Sequence, residues 1–69
     1  MEALKIIRDE LPRGAQQQIA KNINVHYVLV NRVLNGTSDN MEVMTAIADY
    51  YSDYKKKMDE VSARLNALV

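Results

Sequence analysis

The sequence predicts an all-α fold: a small helix-turn-helix bundle followed by a long C-terminal helix that extends as a coiled coil. Three observations predict it. Apolar residues recur at helical spacing along most of the chain, strand-like alternation is almost absent, and neither glycine nor proline occurs after Met41. The 69 residues provide for one small core, and a core of this size favours self-association.

The first helix is predicted to end at Pro12, because proline lacks the backbone N–H that a helix interior requires. Arg13 and Gly14 then form a short connector to the second helix. The apolar face of the first helix is expected to consist of Ala3, Leu4, Ile7 and Leu11.

Two short helices are predicted next, over residues 15–23 and about 27–35. Asn24 favours a turn between them, because asparagine tolerates the left-handed backbone conformation better than most residues. Gly36 is a favoured residue just past a helix C-terminus, and it is expected to end the third helix. At about 100° per residue, one arc of this helix is apolar; its members are Leu29, Val30, Val33 and Leu34.

A fourth helix is predicted over residues 41–67, after loop and N-cap residues at 37–40. It would be roughly 40 Å long, so its C-terminal half is expected to overhang the domain of residues 1–50. Met44, Ile47 and Ala48 are expected to close the core. The extension, residues 51–69, is predicted to form a dimerisation coiled coil, because its heptad stripe finds no cover in its own chain from Tyr51 onward. The alternative is a monomer whose C-terminal segment folds back on the first helix or frays. The expected dimer interface is Tyr51, Tyr54, Met58, Val61, Leu65 and Leu68.

Composition excludes several functional classes. With no cysteine and one histidine, the sequence excludes a disulfide scaffold, a thiol nucleophile and the usual Cys/His zinc sites. Asp49 and Asp53 lie one helical turn apart, but no base or oxyanion donor accompanies them, so we interpret them as a solvated face. We therefore predict no enzyme activity, no catalytic or metal site and no cofactor.

No apolar run approaches the ~18–20 residues that cross a bilayer, and residues 1–5 do not resemble a signal peptide. The sequence therefore predicts a soluble, cytoplasmic protein without a membrane partner. Nine basic and nine acidic residues give zero net charge. Residues 1–36 nevertheless hold five basic and three acidic groups, whereas residues 37–69 hold four and six. The front half is thus mildly positive, which favours contact with phosphate.

From residue 11 to residue 51 the sequence resembles the phage-repressor-like (Cro/XRE-type) helix-turn-helix DNA-binding proteins. The similarity is greatest over residues 16–36, where Arg32-Val33-Leu34-Asn35-Gly36 looks like the ending common to this family and to LacI-type headpieces. Leu11-Pro12-Arg13-Gly14 followed by Ile19-Ala20 is similar to many short bacterial and phage regulators. The sequence departs from the family at Asn24, where a turn glycine is usual, and at His26-Tyr27-Val28-Leu29, where small polar and basic residues are usual.

The resemblance implies a lambda-repressor-like bundle that acts as a transcription regulator and binds double-stranded DNA through a recognition helix at about 27–35. Together with the heptad stripe, it predicts a homodimer. Two such helices would enter successive major grooves about 34 Å apart. Arg32 is the favoured residue for reading guanine, and Asn31 for reading adenine. No small-molecule effector is expected, since no effector domain fits. Lys21 and Arg13 are expected to contact phosphate if the protein binds DNA, and are otherwise ordinary surface residues. The DNA-binding residues implied by the resemblance are Gln16, Gln17, His26, Tyr27, Val28, Asn31, Arg32 and Asn35.

A second interpretation comes from the same residues. The zero net charge and the apolar residues 27–29 are also typical of a helical adaptor or assembly protein that uses a similar scaffold to bind another protein. His26 has a purely local alternative as well, because a histidine at a helix start can cap the helix rather than bind phosphate.

Overall fold

The computed structural model describes residues 2–69 and is all-helical over that range, which confirms the predicted class. Three short helices precede one long helix. They are α1 (Glu2–Glu10), α2 (Ala15–Asn22), α3 (Tyr27–Leu34) and α4 (Met41–Ala67).

The core forms where α3 packs against the other three helices. Val30 and Val33 of α3 are fully buried, as is Ile19 of α2. The first half of α4 covers this cluster with Val43 and Ile47. The predicted apolar arc of the third helix is thus confirmed. The buried residues are Leu4, Ala15, Ile19, Ala20, Val30, Val33, Leu34, Val43 and Ile47.

Two core expectations were wrong. Ala48 is exposed, and Val43, which was not expected in the core, is buried. Positions 43 and 47 lie about 40° apart on a helix, whereas position 48 lies about 100° further round. The core face of α4 is therefore centred on Val43 and Ile47, with Met44 half-buried beside them. Ala3 is exposed for the same reason, because it lies about 100° from the buried Leu4.

The turn between α2 and α3 is built on Asn24, whose φ of 56° lies in the left-handed region. The N–H of Asn24 donates to the Lys21 carbonyl at 3.3 Å, and the N–H of Val25 donates to the Ala20 carbonyl at 2.9 Å. These two bonds form a Schellman motif, which satisfies carbonyls that the helix end would leave unpaired. Val25 then packs against the core. The predicted left-handed turn at Asn24 is confirmed.

The C-terminus of α3 repeats this arrangement with glycine. Gly36 has a φ of 80°, its N–H donates to the Val33 carbonyl, and the N–H of Thr37 donates to the Arg32 carbonyl at 2.9 Å. The hydroxyl of Thr37 donates to the same carbonyl. The chain then reaches Asn40, whose side chain accepts the N–H of Val43 at 3.1 Å and caps α4.

α4 has 27 residues, and the described protein measures 44 × 25 × 18 Å. Its C-terminal half therefore projects beyond the packed helices, as predicted. All residues from Lys55 onward are exposed. Tyr51 and Tyr54 are half-buried, so the uncovered part of the heptad stripe begins at Met58 rather than at Tyr51, where it was expected.

We predict that Asn24→Gly leaves the free energy of unfolding unchanged or raises it by up to about 1 kcal/mol, because glycine adopts the left-handed conformation without steric cost. Asn24→Ala should lower it by about 1 kcal/mol. Urea denaturation followed by circular dichroism measures both. Equal stabilities of the two variants would contradict the role assigned to this turn.

Candidate functional site

α3 has one buried face and one uncovered face. Its outer residues include Tyr27, Val28 and the exposed Arg32, and the relative exposures of Tyr27 and Val28 are 49% and 37%. Val28 and Arg32 lie on the face opposite Val30 and Val33, and Tyr27 lies at the edge of that face, about 60° from Val30. α3 thus has eight residues, of which Val30, Val33 and Leu34 are buried in the core and Tyr27, Val28 and Arg32 are exposed.

His26 precedes α3 and caps it. Its Nδ1 accepts the N–H of Val28 at 3.2 Å, and its backbone is extended at φ −73° and ψ 139°. A ring that accepts at Nδ1 carries its proton on Nε2 when neutral, so the exposed His26 retains one donor. The ring also stacks on Tyr27, with centroids 5.0 Å apart. The capping interpretation of His26 is confirmed.

Four side chains form a continuous hydrogen-bonded chain across three helices, which we call the amide chain: Arg8, Asn35, Asn31 and Gln16. Nη1 of Arg8 in α1 donates to Oδ1 of Asn35 at 2.7 Å. Nδ2 of Asn35 donates to Oδ1 of Asn31 at 2.9 Å. Nδ2 of Asn31 donates to Oε1 of Gln16 in α2 at 3.2 Å. The amide chain therefore connects α1 and α2 through α3.

The amide chain changes what Asn31 can offer. Its side chain is half-buried, with one hydrogen of Nδ2 and one lone pair of Oδ1 already used within the protein. An asparagine amide carries two hydrogens and two lone pairs, so one of each remains. One donor and one acceptor position of Asn31 therefore stay unused within the described residues.

An open groove of about 600 Å³ lies beside the amide chain. Both ends of the chain, Arg8 and Gln16, line it. Tyr27 reaches it from the start of α3. Most of these polar side chains are hydrogen-bond donors, which suits an anionic or acceptor-rich ligand. The lining residues are Arg8, Leu11, Pro12, Arg13, Gly14, Gln16, Gln17 and Tyr27.

The structure thus brings together most, but not all, of the residues implied as DNA-binding. Gln16, Gln17 and Tyr27 line the groove, and Asn31 and Asn35 belong to the amide chain. Lys21 and Arg32 are exposed, and among residues 2–69 neither side chain takes part in a hydrogen bond or an ion pair. Both cations are therefore available to a ligand.

Sequence reasoning missed the role of Arg8. It interprets Arg8 only as one of the basic groups of the front half, yet the structure places it at the start of the amide chain and beside the groove. Its Nε also lies 3.5 Å from Oδ1 of Asp9. The sequence contained only a weak indication that Arg8 contacts another helix, namely that it directly follows Ile7 and so borders the apolar face of α1.

In the second half of the protein, Tyr51 already has a partner in its own chain. Its hydroxyl donates to the Glu10 carboxylate at the end of α1. That hydrogen bond, followed by desolvation and the negative charge of Glu10, raises the pKa of Tyr51 above its ordinary value. The hydroxyl therefore stays protonated at neutral pH and can donate to the Glu10 carboxylate.

None of the helices within residues 2–69 is long and apolar enough to cross a membrane. No family model, curated protein or solved structure matches the chain.

We predict that His26→Ala lowers the free energy of unfolding by about 1 kcal/mol, because the first turn of α3 loses its side-chain acceptor. His26→Asn is the matched control, since asparagine is a good N-cap and should keep most of that stability. Thermal denaturation compares the two. The capping role would be disproved if both substitutions had the same effect.

Proposed function

We propose that this protein is a sequence-specific DNA-binding transcription regulator, in which α2 and α3 form a helix-turn-helix unit and α3 enters the major groove. The observation that carries the proposal is the division of α3 into a fully buried face and an uncovered one. Val30 and Val33 fix the helix, while Arg32 on the other side is exposed and unpaired among the described residues. A helix held in this way can place its outer side chains against base edges in the major groove without rearranging.

The charge distribution favours DNA binding by the same surface. Lys21 and Arg32 are exposed, and two further arginines, Arg8 and Arg13, line the groove beside Gln16. These cations lie in or next to the α1–α3 part of the protein, where basic groups outnumber acidic ones. Lys21 and Arg13 supply phosphate contacts that position α3, while Arg32 supplies sequence preference through contacts with base edges in the groove of the DNA.

We further propose that the projecting half of α4 pairs with the same segment of a second copy. Its exposed apolar residues continue the heptad spacing of 3, 4 and 3, and a stripe with this spacing complements itself when two helices pair. Removing each large side chain from water contributes about 1.5–3 kcal/mol. The relative exposures are 45%, 48%, 58% and 83% for Met58, Val61, Leu65 and Leu68.

A dimer of this kind carries two copies of α3, which suits a pseudo-palindromic site with half-sites about 34 Å apart. The half-buried Tyr51 and Tyr54 lie where the coiled coil would meet the bundle. Since Tyr51 is bound to Glu10 of its own chain and Tyr54 is half-buried, the four exposed residues from Met58 onward carry the pairing. The division into residues 1–50 and 51–69 belongs to this proposal.

A second candidate function is that of a helical adaptor. The observation that favours it is the exposed pair Tyr27 and Val28 at the start of α3, within a protein of zero net charge. Aromatic side chains are enriched in the cores of protein interfaces. In this alternative, the same face of α3 binds another protein and Arg32 contributes at the rim.

We predict that Arg32→Ala weakens binding to a selected duplex about tenfold or more for each half-site, because a paired contact to guanine is lost. The exposed position predicts an unchanged free energy of unfolding. The matched control is Lys56→Ala, which removes one positive charge from the far part of α4. Fluorescence anisotropy measures the duplex affinities.

The same series separates the two candidate functions. Equal, small effects of Arg32→Ala and Lys56→Ala would contradict direct reading of DNA by Arg32. Loss of cellular activity with Tyr27→Ala, together with unchanged activity when Arg32 and Asn31 are both changed to alanine, would favour the adaptor.

We predict that Leu65→Lys weakens self-association at least about 100-fold, since two leucines leave the interface of each dimer. Wild-type protein should behave as twice the 7.9 kDa chain in sedimentation equilibrium. Ala63→Lys is the matched control, because position 63 lies about 200° from position 65 on the helix. A monomeric wild type, or equal effects of the two lysines, would contradict the coiled-coil pairing.

A further inference from the structure

The amide chain has a direction that one residue sets. An asparagine or glutamine amide has a donor end and an acceptor end, and either can face a neighbouring amide. Arginine has donors only. With Nη1 of Arg8 at 2.7 Å, Asn35 must turn its oxygen toward the guanidinium, and its nitrogen is then the atom that faces Asn31.

The orientation of each amide determines the orientation of the next one along the amide chain. Because the nitrogen of Asn35 faces Asn31, Asn31 presents its oxygen to Asn35 and its nitrogen to Gln16. Gln16 accepts that bond with Oε1, so both hydrogens of its Nε2 are left for other partners. Gln16 lines the open groove, and so does Arg8 at the other end of the chain.

We propose that Arg8 is a positioning residue that fixes the orientation of three amides, so that Gln16 offers a donor to the groove and selects a hydrogen-bond acceptor there. This inference rests on the proposed function where it names the ligand: an acceptor atom of duplex DNA, supplied by a phosphate oxygen or a base edge. The orientation itself depends only on the protein.

Substitutions at Arg8 reverse or preserve the direction. Arg8→Glu replaces a donor-only side chain with an acceptor-only one, so each amide should turn round and Gln16 should offer its oxygen to the groove. Arg8→Lys keeps donors only and should keep the original direction. Lys5→Glu makes the same change of charge on an exposed position of α1 outside the amide chain, and it serves as the charge control.

Nuclear magnetic resonance of the free protein tests the orientation. In the wild type and in Arg8→Lys, the side-chain amide protons of Asn31 should show Overhauser contacts to the Gln16 side chain. In Arg8→Glu, those protons should instead contact Asn35, and the Gln16 amide protons should contact Asn31. Unchanged contacts in a folded Arg8→Glu protein would overturn the proposal.

Anisotropy with a selected duplex tests the consequence. Arg8→Glu should weaken binding about tenfold more than Lys5→Glu does, because an acceptor of the protein then meets an acceptor of the DNA. Equal losses in these two variants would overturn the selection of an acceptor by Gln16. If even the wild type binds no duplex, the proposed function fails, while the resonance result still decides whether Arg8 orients the amides.

Discussion

The packing of α3 into the core is the constraint on which the rest of the structure depends. Val30 and Val33 are fully buried against neighbouring helices. The left-handed residues Asn24 and Gly36 form the turns that precede and follow this helix. A helix rotated by one residue would place a polar side chain in that core, at a cost of several kcal/mol. The buried face therefore fixes the rotation of α3 about its axis. This rotation determines which side chains point outward and form the candidate site.

Much of the fold followed from local rules. Helical spacing, the stop at Pro12 and the left-handed preferences of Asn24 and Gly36 are properties of short segments, and these elements were predicted correctly. The errors at Ala3 and Ala48 have a different origin. Ala3 and Ala48 lie at the edges of apolar helix faces that are wider than the part buried in the core. The positions of the neighbouring helices decide whether residues at such an edge are covered.

The amide chain was beyond sequence reasoning for a physical reason. Arg8 and Asn35 are 27 positions apart, and they meet only because α1 packs beside the C-terminal end of α3. Nothing in the local sequence of either residue encodes that approach. The outward face of α3 was predictable, whereas the orientation of Asn31 within it was not. The pattern of apolar residues predicts which face of a helix is buried. Predicting polar contacts between two helices also requires the distance between their axes, which the pattern does not contain.

Selection from a random duplex pool tests the central claim most directly, namely that the outer face of α3 reads DNA. The account predicts enrichment of an inverted repeat with half-sites about one helical turn apart, and loss of that enrichment when the pool is selected with Arg32→Ala protein. A pool that stays random with folded wild-type protein at low salt would contradict the account.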